Sequence, residues 1–360
     1  MGDRSRAGGS PVVKRTVLCL IAGVALAGCS AERVAGGAGA PDGGNGGAGT
    51  AHDPLGTVRA VAASCPPGGL TGICQALTVS CPGIADFTGT IKVVSPAAAP
   101  AGTVIFQNGG GGVGWYESSF AHGMDLANTV LQAGYTIVDL SWAPPQGPVQ
   151  GGWLTGPGGP RKLACRYATA AQWIRDHVHQ GGTQSPFCAT GNSGGSAAIA
   201  YALALYDMGS IFDMVEPTSG PPMGRIDHGC ICDQPPAPVA CGAPQAECYF
   251  GAGAILDMAY GNDWCSTAVS SHDSTHASAF WSDSVAAPDA VYAYPSTDVH
   301  VLFGGADTAG GAAPLGFAWA SRITTLHTID CVPNAAHPMA DSVDGATRIA
   351  NDLVTYCKKR

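Results

Sequence analysis

Apolar positions along the chain follow two rhythms. Short runs carrying Val, Ile, Leu and Phe, at residues 90–95, 102–107, 135–142, 186–190, 214–216, 298–303 and 324–331, have the length and composition of strands, those at 135–142, 186–190 and 298–303 of buried ones. Between and after them lie stretches with apolar residues three and four apart, at 122–133, 163–179, 196–205 and 343–356, which predict helices. In 163–179 the stripe runs through Leu163, Tyr167, Ala170, Ala171, Ile174 and Val178. Strands alternating with helices over this length predict an α/β fold with a mostly parallel central sheet flanked by helices, because parallel neighbours need a crossover connection.

The pattern fails at the N-terminal end. Arg4, Arg6, Lys14 and Arg15 precede an apolar run over residues 17–27, too short to cross a bilayer, which closes on Gly28 and Cys29. This resembles a bacterial lipoprotein signal peptide and implies cleavage before Cys29, with the lipid on that cysteine. An ordinary secretory signal is the alternative, and both export the chain. Ser30 is similar to the sorting residue that directs Gram-negative lipoproteins to the outer membrane. Residues 34–50 are almost wholly Gly, Ala, Pro and Asp, too poor in large apolar side chains to pack, and read as a tether. The organisation is therefore a signal at 1–28, an anchor site and tether at 29–54, and one large domain at 55–360. Within that domain, residues 221–295 form a Pro- and Cys-rich insertion resembling a lid.

Charge and cysteine content narrow the function classes. Removing residues 1–28 takes four basic and one acidic side chain from totals of 17 and 26, leaving 13 against 25, a net charge of −12 that repels nucleic acid. Twelve cysteines remain besides Cys19 and Cys29, an even number in an export context, which predicts disulfides. Cys65, Cys74 and Cys81 suit an N-terminal staple, and Cys230, Cys232, Cys241, Cys248 and Cys265 crowd the insertion. A zinc cluster there is the less favoured reading in an oxidising compartment.

The chemistry concentrates in Gly191-Asn192-Ser193-Gly194-Gly195, where a predicted strand turns into a predicted helix through Gly-x-Ser-x-Gly. A sharp strand-to-helix turn exposes the serine hydroxyl, and the following amide, at Gly194, heads the helix where an oxyanion would be stabilised. The same letters resemble the serine loop of trypsin-like proteases. That serine, however, lies near the end of an all-β chain, whereas here helix and strand signals continue far beyond it. Upstream, Asn108-Gly109-Gly110-Gly111-Gly112 follows a strand and is similar to the HGGG oxyanion loops of esterases, with Asn108 in place of histidine.

With these motifs on alternating strands and helices, the chain resembles the α/β-hydrolase superfamily over most of its mature length. The resemblance implies an acid after a later strand and a histidine after the last one. Asp307 and His337 stand at those points, making Ser193, Asp307 and His337 the expected catalytic residues. Gly194, Gly110 and Gly111 are the expected oxyanion donors, while Asp330 and Glu216 are rival acids. Trp115, Tyr116 and Trp142 are expected on the same sheet edge, lining a substrate pocket. His300 and His327 alternate with apolar residues inside strands and read as structural.

A serine hydroxyl needs an imidazole to take its proton, and the imidazole needs a carboxylate to hold its tautomer. The resemblance therefore implies a serine hydrolase of carboxylic esters that needs no cofactor and no metal. Its partners would be an ester-bearing small molecule, lipid or polysaccharide, and a membrane through the lipid on Cys29. The glycine run followed by Trp115 is similar to that of pectin acetylesterases, which implies a deacetylase of surface polysaccharide. A peptidase of the same fold and a non-catalytic binding lipoprotein are the alternatives.

Overall fold

The computed structural model describes residues 52–144, 151–250 and 252–360. The expected signal, Cys29 and nearly all of the tether lie outside the described residues, as does part of the loop after residue 144. Nine strands form one sheet among the described residues: β1 (Thr57–Ala63), β2 (Ile73–Ser80), β3 (Phe87–Val94), β4 (Gly102–Gln107), β5 (Tyr135–Ser141), β6 (Phe187–Asn192), β7 (Met214–Thr218), β8 (Asp298–Gly304) and β9 (His327–Val332). Their spatial order is β1-β2-β3-β5-β4-β6-β7-β8-β9. β5, β4, β6, β7, β8 and β9 run parallel, while β1 and β2 add antiparallel and β3 meets β5 antiparallel.

Helices α1 (Tyr116–Ser119), α2 (Gly123–Gln132), α3 (Pro160–His177) and α4 (Gly194–Leu205) precede the insertion. The insertion carries α5 (Ile226–Ile231), α6 (Gly253–Tyr260), α7 (Trp264–Ser271) and α8 (Ala277–Ser282), and α9 (Ala312–Ala320) and α10 (Val343–Tyr356) follow. Alternation along β4 shows how the layers form. Ile105 joins the core built with α3 and α4, whereas Val104 and Phe106 join the core built with α2 and α10. With both faces covered, β4 is buried throughout, as its central Val104-Ile105-Phe106 requires.

The α/β class and the order of elements are as expected. β1 and β2 were not legible in the sequence; β1 is an edge strand with no fully buried residue, so its composition carries no strong apolar signal, whereas β2 is half buried and mixes apolar residues with Cys74, Gln75, Thr78 and Ser80. The twelve cysteines of this region form six bridges, Cys65–Cys74, Cys81–Cys165, Cys188–Cys357, Cys230–Cys265, Cys232–Cys248 and Cys241–Cys331. Cys65 and Cys74 form the N-terminal staple that their spacing suggested, whereas Cys81, grouped with them there, instead ties the end of β2 to α3. Six bridges point to an oxidising, extracytoplasmic compartment.

Cys188 lies in β6, five residues before Ser193, and its bond to Cys357 closes 169 residues of chain just beyond α10. Replacing both cysteines by alanine should destabilise the domain by about 2–5 kcal/mol through release of the unfolded chain. Urea unfolding of the oxidised wild type and the double variant measures this, and equal midpoints would contradict it.

Candidate active site

Parallel strands that start from one side finish on the same edge, and here that edge collects the ends of β4, β6, β7, β8 and β9. The glycine loop leaves β4, Ser193 leaves β6, Asp307 follows β8 and His337 follows β9. Ser193 has φ +53°, an uncommon conformation for a side-chain-bearing residue, and its N–H donates to the Thr218 carbonyl at 2.8 Å. The turn is tight enough to demand glycine after it. A Cβ on Gly195 would lie 2.5 Å from the Gln107 carbonyl oxygen, and one on Gly194 would lie 1.9 Å from that of Gly110.

The structure brings three predicted side chains into one chain of hydrogen bonds. His337 Nδ1 is 2.9 Å from Asp307 Oδ2, and His337 Nε2 is 2.8 Å from Ser193 Oγ. An ionised carboxylate only accepts, so the imidazole proton sits on Nδ1 and leaves Nε2 free to accept from the serine hydroxyl. Asp307 is buried, and its other oxygen accepts from the Ala309 N–H at 2.8 Å. Such a chain can draw the hydroxyl proton onto Nε2 as Oγ attacks an electrophile.

Two asparagines hold this arrangement, Asn192, which the sequence did not single out, and Asn108, which it marked only as a departure from histidine. Asn192 is buried, and its Oδ1 accepts from the Met339 N–H and from Thr218 Oγ1, each at 3.2 Å, so it links the serine strand to the histidine loop. Asn108 Nδ2 donates to the Val113 carbonyl at 2.8 Å and to Ser119 Oγ at 2.7 Å, while its Oδ1 accepts from the Gly109 N–H at 2.8 Å. One amide thus ties both ends of the glycine loop, which explains how asparagine serves where a histidine was expected. Asn192 was the variable letter of its motif and offered no signal.

A cleft of about 140 Å³ opens beside Ser193 and His337. Gly110 and Gly194 border it, and the Gly194 amide, in the first turn of α4, has no partner within its own helix. Gly111 does not line the cleft, because it is pressed against Gly151 and Gly152 and its carbonyl accepts from the Trp153 N–H at 2.9 Å. Trp115, Tyr116 and Trp142 do not line it either, which corrects the expectation for all three. Trp142 is packed beneath the loop against Gly112, Trp115 donates through Nε1 to the Pro66 carbonyl, and Tyr116 meets Phe106 and Phe120 edge-on in the core. They start from the expected edge but turn inward, where large aromatic faces bury more surface.

Beneath the loop, Lys92 and Glu117 form a buried ion pair, and Asp139 Oδ2 accepts from the Tyr116 N–H at 2.8 Å. Burial and the bond to Glu117 push the Asp139 carboxyl well above its ordinary range. Burial alone would raise Glu117 too, yet the neighbouring Asp139 and Lys92 hold it below its usual value. Neither rival acid reaches His337. Asp330 pairs with Arg348 on the outer side, and Glu216 is fully buried with no hydrogen-bond partner for either oxygen among the described residues.

No family model matches the sequence, and no curated protein matches it. Among solved structures the chain is similar to Est1E from Butyrivibrio proteoclasticus, at 12% identity and a TM-score of 0.46, covering 79% of this chain and 98% of that one. It is also similar to an esterase from Pseudomonas putida, at 13% and 0.46, covering 85% and 84%. A third likeness is to an acylaminoacyl peptidase from Pyrococcus horikoshii, at 12% and 0.49, covering 85% of this chain and 42% of that one. These structural neighbours are esterases and other hydrolases of the α/β-hydrolase fold, at identities that leave reaction and substrate open.

Burial, and next the nearby Asp352, raise the Glu216 carboxyl well above its ordinary value of 4.5. The folded protein therefore keeps a proton that the unfolded chain releases, and stability falls by up to ~1.4 kcal/mol per pH unit between the ordinary and the raised pKa. Glu216→Gln should remove this slope and gain on the wild type as pH rises. Urea unfolding of both proteins at pH 5 and pH 8 tests it, and an unchanged difference between the two pH values would contradict it.

Proposed function

We propose that this protein is an exported serine hydrolase that cleaves carboxylic esters through an acyl-serine intermediate. The observation that carries the reading is the single imidazole of His337 within hydrogen-bonding distance of both Asp307 and Ser193. In this reading Ser193 Oγ attacks the ester carbonyl carbon while its proton passes to His337 Nε2. The oxygen of the tetrahedral intermediate is held by amides of the Gly110 turn and Gly194. The same proton then goes to the departing alkoxide, and water releases the acid by the reverse sequence. Asp307 keeps the ring in the accepting tautomer and stabilises the imidazolium. No step calls for a cofactor.

The signal-like N-terminus supports the further reading that Cys29 carries a lipid and holds the enzyme on an extracytoplasmic membrane face. Cys29→Ser should move the protein from the membrane to the soluble fraction on cell fractionation. Retention in the membrane would remove the lipid anchor from the proposal.

The catalytic assignment is tested with a fluorophosphonate probe and a panel of p-nitrophenyl esters beside matched peptide amides. Wild type should be labelled and Ser193→Ala spared, and Ser193→Ala or His337→Ala should lower ester kcat by about 10³-fold or more. Folded wild type that takes no label would favour a binding role. Turnover confined to amides would favour a peptidase.

A further inference from the structure

The cleft beside Ser193 has walls of almost pure hydrocarbon. Pro222 and Met223, which follow β7, close one side, Ile255 and Leu256 on α6 close another, and Ala309 and Ala312 complete it. Among the described residues no Asp, Glu, Lys or Arg lines it. Its polar side chains apart from Ser193 and His337 reduce to Tyr249, whose hydroxyl already donates to the Pro222 carbonyl at 2.7 Å. Away from Ser193, His337 and the amides of Gly110 and Gly194, a hydroxyl or carboxylate entering this space would leave water and find no free side-chain partner.

Its size is bounded as well. An enclosed apolar cavity of about 150 Å³ takes one benzene, and this cleft, open to solvent on one side and shared with Ser193 and His337, holds about 140 Å³. The walls have little room to retreat. A Cβ on Gly229 would meet the Tyr249 ring at 2.2 Å, and the neighbouring Cys248 is bonded to Cys232, so ring and backbone are both held. Leu256 is buried at 2% exposure, while Ile255 stands at the rim at 37%.

We propose that this cleft receives an uncharged, apolar substituent of the scissile ester, an alkyl chain or single aromatic ring of no more than about six non-hydrogen atoms, with Leu256 and Ile255 setting the limit. The proposal rests on the ester-hydrolase reading above. It excludes a sugar from this pocket, so in any polysaccharide ester the sugar would stay outside and the apolar substituent would enter.

The experiment crosses two substrate series with two variants. One series varies the acyl group of p-nitrophenyl esters from acetyl to decanoyl, and the other varies the alcohol of acetate esters from methyl to decyl. In one of the two, kcat/KM should rise roughly three- to fourfold per methylene and stop rising at about six non-hydrogen atoms. In that series an ω-hydroxylated substrate of equal length should fall at least about fivefold. Leu256→Ala should carry the rise onward by about two or more carbons, and Ile255→Trp should end it earlier. Ile255→Trp decides alone if circular dichroism shows that Leu256→Ala is unfolded, because its site is half open to solvent.

A rise that continues to ten carbons in both series, no rise in either, or a stopping point that neither folded variant moves would overturn the size limit. Fluorophosphonate labelling of Ser193 in the same preparations separates this failure from that of the hydrolase reading. Labelled protein with the wrong length profile refutes the pocket assignment alone, while unlabelled wild type refutes both.

Discussion

The His337 imidazole stands between Asp307 and Ser193, and the rest of the molecule is arranged so that its two hydrogen bonds can form together. They join positions 30 and 144 residues apart along the chain. Bonds of 2.9 and 2.8 Å tolerate only a few tenths of an ångström of error before they weaken. Loops on their own do not hold such tolerances. Here each loop leaves a parallel strand, fully buried for β6 and β8 and half-buried for the edge strand β9, and the strands are registered to one another by the sheet.

Further ties act on the loops themselves. The Asn192 amide couples the serine strand to the segment just after His337, and the Ser193 N–H is held by the end of β7. Cys331, next to the last residue of β9, is bonded to Cys241 in the insertion, while Gln245 Nε2 donates to the Asp307 carbonyl at 3.3 Å. The insertion therefore braces both the acid loop and the histidine strand, besides supplying α6 to the cleft wall. Disulfides suit this task because most of the insertion is short helices and loop, with little sheet to lock it.

The main strands and the long helices were readable because their residues answer to local rules. β4 and α10 have the expected bounds, since one is a short β-branched and apolar run and the other a strongly amphipathic stretch capped by Ser342, whose side chain accepts from the Gly345 N–H. The order of Ser193, Asp307 and His337 along the chain was readable for a similar reason, as each follows a recognisable strand. The aromatic residues were misplaced. Trp115, Tyr116 and Trp142 do start from the active edge, but which way a side chain turns depends on the space beneath the glycine loop. For Trp142 that space is left by Gly89 and Gly112, while Trp115 meets Pro66 and Tyr116 meets Phe106 and Phe120, all from separate segments.

From its order of residues alone the chain determined an α/β layout, an even set of cysteines suited to disulfides, and the three side chains that meet in one chain of hydrogen bonds. These follow from periodicity, composition and the chemistry that each residue type carries. Only the tertiary structure decided which cysteines pair, that Asn192 and Asn108 hold the loops, and that Met223, Tyr249 and Leu256 rather than the tryptophans wall the cleft. Such choices depend on distances between segments remote in sequence, and those distances exist only once the layers have packed.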